Sequence, residues 1–162
     1  MTKDEIAAIL AKPYAQELIT GPEPARFAYD GLDGDPRVIP IGFWVEGDKI
    51  LMATVPKSAK VAALRKNPKV ALTIDTGAFP PKVLLIRGSA EVELVPGVPE
   101  GYLLAGHKVT TDEQYPDWEA GVKALYDEMV VITVTPTWAK LLDFETTIPK
   151  AVEDLIKEKS KS

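Results

Sequence analysis

The sequence predicts a mainly β, α+β fold: a small barrel of about six antiparallel strands with peripheral helices. Three observations point there. The run Val83 to Leu94 alternates, with Leu84, Ile86, Gly88, Ala90, Val92 and Leu94 on one face and Arg87, Ser89, Glu91 and Glu93 on the other. Such a strand belongs to an antiparallel sheet with one buried face. Two apolar runs, Arg37–Val45 and Lys49–Thr54, are joined by Gly47-Asp48 as a hairpin. Helical spacing is confined to short segments at the two ends, after Thr54, and in one polar insertion.

Taken in order, Thr2-Lys3-Asp4-Glu5 has the form of a capping box, and Ile6, Ile9 and Leu10 follow as an apolar stripe. Pro13 is expected to end that helix, and Tyr14 to Pro24 reads as loop, punctuated by Gly21-Pro22 and Pro24. Arg26–Tyr29 is a short strand running into a turn rich in Asp and Gly. Arg37–Val45 reads as one long strand, although Pro40 cannot donate to a ladder and marks an edge, a bulge or a site. Lys69–Asp75 alternates and is strand. The polar insertion, 96–128, is expected to hold two helices, with Trp118, Val122, Leu125 and Met129 on one face. Strand returns at Val130–Thr135, is interrupted by Pro136, and resumes at Trp138–Phe144. A last amphipathic helix spans 148–159 with Pro149 in its first turn, and the charged tail Lys157–Ser162 frays. All of this fits a single domain over 1–162.

Composition narrows the chemistry. The 162 residues carry 19 Lys plus Arg against 24 Asp plus Glu, a net charge of −5 that disfavours a nucleic-acid binder. The chain has no cysteine and one histidine, His107, so thiolate nucleophiles, disulfides, a His-based triad and multi-His metal sites lack material. No apolar run reaches the length of a membrane span, and no signal core follows the N-terminus, so a cytoplasmic location is expected. The Asp30, Asp33, Asp35 cluster lacks the closing Glu of a calcium loop and reads as turn chemistry. No metal site is expected.

The stretch from Thr54 to Pro68 organises the chain. Ser58 is placed to cap a short helix, Val61 and Leu64 share one face of it, and Asn67-Pro68 stops it. A helix start offers unpaired N–H groups and partial positive charge. Lys57 and Lys60 add two charges there, and Thr54 and Ser58 add two hydroxyls. The result is a compact anion cradle, for which phosphate is the usual occupant. The alternative is a solvated basic helix with a serine cap.

With these pieces in view, Arg37 to Leu94 resembles the pyridoxamine-phosphate-oxidase-like, FMN-binding split-barrel family. The resemblance rests on the strand–Gly-Asp–strand unit ending in Thr54, on Ser58-x-Lys60 followed by Leu64-x-x-Asn67-Pro68-x-Val70, and on Val83 to Val92. It covers roughly 3–95 and 129–145. It implies a six-stranded split barrel, an FMN phosphate held at Thr54, Ser58 and Lys60 with Lys57 lending charge, and a homodimer whose subunits complete each other's sites. Backbone groups around Gly42, Phe43 and Trp44 would meet the flavin ring. Phe43, Trp44 and Trp138 could cluster as flavin wall or interface, with ordinary core packing the stronger reading for Phe43. Arg87 could meet a phosphate, a flavin carbonyl or a substrate carboxylate, or make a surface salt bridge.

Two departures matter. Ala59 stands where true pyridoxamine-phosphate oxidases carry Arg, and the C-terminus lacks their Arg-x-His segment. Pyridoxamine-phosphate oxidation is therefore not expected. Relatives of the split barrel use a deazaflavin coenzyme, which the basic pair would also suit. The expectation is an FMN-dependent, or alternatively deazaflavin-dependent, oxidoreductase acting on a small molecule, with no catalytic side chain assigned. A flavin-binding or storage protein without turnover is the alternative from another class.

Overall fold

The computed structural model describes residues 1–161; Ser162, the end of the expected frayed tail, lies outside them. Helix α1 (Lys3–Leu10) begins at the expected capping box: the Glu5 amide donates to Thr2 Oγ1 at 3.2 Å, and the Thr2 amide donates to Glu5 Oε2 at 2.7 Å. The segment expected as loop is instead helix α2 (Pro13–Thr20), with Ala15, Leu18 and Ile19 buried. Pro13 stops one helix and starts the next, because its fixed φ suits a first helical position and needs no donor.

The strands are β1 (Ala25–Asp30), β2 (Pro36–Ile41), β3 (Trp44–Glu46), β4 (Lys49–Thr54), β5 (Lys69–Asp75), β6 (Val83–Pro96) and β7 (Glu128–Leu142). They form one antiparallel sheet in the order β2-β1-β5-β6-β7-β4-β3. Seven strands replace six because the run 37–45 breaks at Gly42-Phe43. Its halves lie on opposite edges of the sheet. Pro36 and Pro40 lack N–H groups, which confines β2 to an edge beside β1.

Pro136 does not interrupt β7. The register shifts instead, from Arg87 opposite Trp138 to Gly88 opposite Pro136, and the Thr137 hydroxyl donates to the Arg87 carbonyl at 3.3 Å. At this bulge a Cβ on Gly88 would sit 2.5 Å from the Thr135 carbonyl oxygen, so only glycine fits.

Alternation sorts the apolar side chains into two cores. Phe27, Ile50, Met52, Leu72, Ile74, Leu84, Ile86, Ile132 and Val134 fill the inside, closed by Ile6 and Leu10 of α1 and by Leu18 and Ile19 of α2. Leu51 and Ala53 of β4 point the other way and pack with Trp44 and Met129 in a second cluster. Tyr102 of helix α4 (Glu100–His107) covers this outer cluster, with Val98 and Tyr126 beside it, and helix α5 (Tyr115–Leu125) packs on α4. The expected apolar face of the insertion is shorter than its spacing suggested: α5 ends at Leu125, which is 69% exposed, and Met129 already belongs to β7. Helix α3 (Ala59–Lys66) follows β4, and α6 (Lys150–Lys159) closes the chain with Pro149 as its N-cap rather than within its first turn. No residue of α6 is buried.

Candidate functional site

Strand β4 ends at Thr54. The chain turns at once, with the Ser58 amide donating to the Val55 carbonyl at 3.0 Å, and α3 starts at Ala59. Val61, Ala63 and Leu64 bury the inner side of α3, which leaves its N-terminal turn facing outward. Ser58 holds the N-cap position, but its hydroxyl does not cap the helix. It accepts from Lys60 Nζ at 2.9 Å, and Lys60 Nζ also donates to Thr54 Oγ1 at 3.2 Å. Three residues that are distant in character are thus one hydrogen-bonded unit.

Lys60 is half-buried, and burial alone pulls its amine below the ordinary lysine range; no carboxylate offsets it. An amine held by two neutral hydroxyls keeps its full charge and one free N–H for an outside anion. Lys57 is exposed on the same turn. Among the described residues no group of three or more His, Asp or Glu could hold a metal ion.

The other residues singled out in the sequence lie elsewhere. Phe43 is 2% exposed and belongs to the inner core. Trp44 packs in the outer cluster, donates from Nε1 to Glu46 Oε1 at 2.8 Å, and lies so close to Gly101 that a Cβ there would meet the indole at 2.1 Å. Trp138 carries the Arg87 guanidinium over its ring at 4.3 Å. The three aromatics therefore form no single cluster. Arg87 makes a cation–π pair on an exposed sheet position, opposite Trp138. Thr54 faces Val130 of β7, eight residues before Trp138, which places Arg87 and Trp138 on the order of 25 Å along the strand from the cradle. Arg37 pairs with Asp33 of the turn, and His107 stacks on Tyr115 with ring centroids 4.1 Å apart.

One feature was not legible. A cavity of about 270 Å³ lies between the Pro22–Pro24 loop, the Gly42-Phe43 break and the insertion. Lys108 lines it, half-buried, donating to the Ile19 carbonyl at 2.8 Å and the Phe43 carbonyl at 3.3 Å. In sequence, Lys108 is one cation after a helix end, where cations are ordinary.

A family model described as Pyridoxamine 5'-phosphate oxidase matches residues 11–142. Solved structures share the fold. An F420 reductase is 26% identical with a TM-score of 0.60, covering 77% of this chain and 94% of that one. A conserved hypothetical protein from Mycobacterium tuberculosis is 18% identical with a TM-score of 0.58, covering 94% of each chain. General Stress Protein 26 from Bacillus anthracis is 17% identical with a TM-score of 0.58, covering 83% of this chain and 95% of that one. No curated protein matches the chain.

Proposed function

We propose that this chain, which belongs to the pyridoxamine 5'-phosphate oxidase family of split barrels, is a flavin-type oxidoreductase that grips its cofactor by a phosphate at the β4–α3 turn. The observation that carries the reading is Lys60: a half-buried cation, oriented by the Thr54 and Ser58 hydroxyls and lacking a carboxylate. A phosphate accepts from the amine and from both hydroxyl groups, and it relieves the cost of burying the charge. Lys57 adds long-range attraction from solvent. When bound, the flavin ring supplies the hydride chemistry. The chain's part is to hold and orient it, which accords with the absence of cysteine and the single histidine.

In this reading the protein works as a homodimer in the cytoplasm. Trp138, with Arg87 opposite it, sits eight residues along β7 from the Thr54 pairing, and in this reading the two serve the interface or the partner's site. FMN is the first cofactor to test. A deazaflavin is favoured by one specific likeness, the F420 reductase at 26% identity.

Titration of the purified protein with FMN and with F420, followed by quenching of tryptophan fluorescence, tests the reading. Saturable binding at about 1 μM or tighter identifies the cofactor. Reduction of the bound cofactor by a nicotinamide donor and its reoxidation by small-molecule acceptors then separates an oxidoreductase from a carrier. Absence of saturable binding by both sinks the proposal.

A further inference from the structure

The cavity beside Lys108 is built as a ligand site, and its residues include none of the Thr54–Lys60 phosphate cradle. Its position depends on two close approaches. A Cβ on Gly106 would meet the Trp118 ring at 2.0 Å, so the indole lies directly on the α4 backbone. Trp118 in turn stacks on Tyr102, with centroids 5.8 Å apart and planes 20° apart. These two rings and Phe43 give the cavity an apolar aromatic lining. At about 270 Å³ it sits at the small end of small-molecule pockets, near the lower limit of roughly 300 Å³, which suits a ligand with a single ring.

Into this lining the fold places one cation. Two of the three N–H groups of Lys108 are spent on the Ile19 and Phe43 carbonyls. Neutral carbonyls fix the amine without cancelling its charge. Burial alone shifts Lys108 below the ordinary lysine range, with no carboxylate contribution, although Glu23 also lines the cavity. A half-buried amine with one N–H left, its charge met by neutral carbonyls and by the Phe43 ring at 4.5 Å, favours an anionic oxygen. We infer that this cavity binds a small acid with a flat apolar body, an aryl carboxylate in the simplest form, with its carboxylate on Lys108 and its ring against Trp118 and Tyr102.

The test uses the full ¹⁵N-labelled chain and two probes of the same shape, benzoate and neutral benzamide, with and without FMN. The readouts are the backbone amides of Gly42 and Gly106 and the indole N–H of Trp118. The expected result is a saturable shift at these three positions by about 10 mM ligand, with benzoate bound at least about tenfold more tightly than benzamide. Lys108→Met should bring benzoate down to the level of benzamide. Should that variant lose its fold with the two tethers, the ratio in the unaltered chain decides alone. Equal binding of the two probes, no saturable shift, or shifts confined to the Thr54–Lys60 turn would each overturn the inference. The last would mark benzoate as a phosphate mimic at the cradle and leave the cofactor reading untouched.

Discussion

Replacing Lys60 by Met should separate binding from stability in opposite directions. The side chain keeps its length and apolar stem and loses its charge. A charge-assisted hydrogen bond to a phosphate contributes about 1.5–3 kcal/mol, which is about 10- to 150-fold in Kd. The apo protein should respond differently. Burial holds the Lys60 amine below its ordinary pKa. The native state therefore binds fewer protons than the unfolded chain between the folded and unfolded pKa values, and stability rises with pH through that interval. Below it, the folded protein carries a charge that burial penalises. Met removes this penalty and gives up two hydrogen bonds to half-exposed hydroxyls that water can replace. The apo Tm at neutral pH should stay level or rise while FMN affinity falls. Circular dichroism melts and a fluorescence titration, run on the same preparation, measure both. An unchanged Kd would refute the cradle. A drop in apo Tm beyond about 6 °C, roughly 2 kcal/mol for a chain of this size, would make Lys60 a structural tie instead.

Three further outcomes follow from the packing. Gly88→Ala forces a Cβ to 2.5 Å from the Thr135 carbonyl, a backbone atom that cannot yield, so the urea midpoint should fall by the equivalent of about 3 kcal/mol; an unchanged midpoint would mean the bulge is not rigid. Gly106→Ala pushes against the Trp118 ring and should cost about 1–3 kcal/mol in the melt while displacing the indole signal of Trp118. Buried Asp143 accepts from the Thr146 hydroxyl and from the amides of Glu145, Thr146 and Thr147, which holds its carboxyl well below the usual range. A depressed carboxyl stabilises the fold above its unfolded pKa of about 3.9 and loses that contribution as pH falls below it. Urea midpoints at pH 7 and pH 3 should therefore differ more for the unaltered chain than for Asp143→Asn; equal differences would remove Asp143 from the acid response.

The parts of this fold that the sequence made legible are those governed by local rules. The alternation of Val83–Val92, the Gly47-Asp48 turn and the Thr2–Glu5 box each depend on neighbours within a few residues, and each is present; Leu94, expected on the buried face, is instead 51% exposed, beyond the part of β6 that covers the interior. The cradle trio was legible for the same reason, since Thr54, Ser58 and Lys60 lie within one turn. Even there the detail differed: Ser58 meets the Lys60 amine, not the helix amides, because the cation is the stronger donor within reach. Non-local choices stayed hidden. Nothing near Pro13 says whether it ends a helix or also begins one. The break at Gly42-Phe43 depends on which edge each half of the run can join. The Lys108 cavity depends on carbonyls 89 and 65 residues away in the chain.

The break has a wider consequence. Strands β2 and β3 are successive in the chain yet stand at opposite ends of the sheet order. The cylinder is thus shut by a covalent leash and not by a seventh ladder of hydrogen bonds. Three peptide links separate Ile41 from Trp44, so the two rims cannot part there by more than about 11 Å. Elsewhere along the seam, the apolar grip of Ile39, Ile41 and Val45 on the interior, the packing of Trp44 in the outer cluster and the Lys108 tether to the Ile19 and Phe43 carbonyls hold the rims in place. A few glycines inserted after Gly42 would leave every strand pair intact and still let the wall unroll. In this molecule the gap between the two rims is limited by chain length, and the pocket beside the leash has that short link as one of its walls.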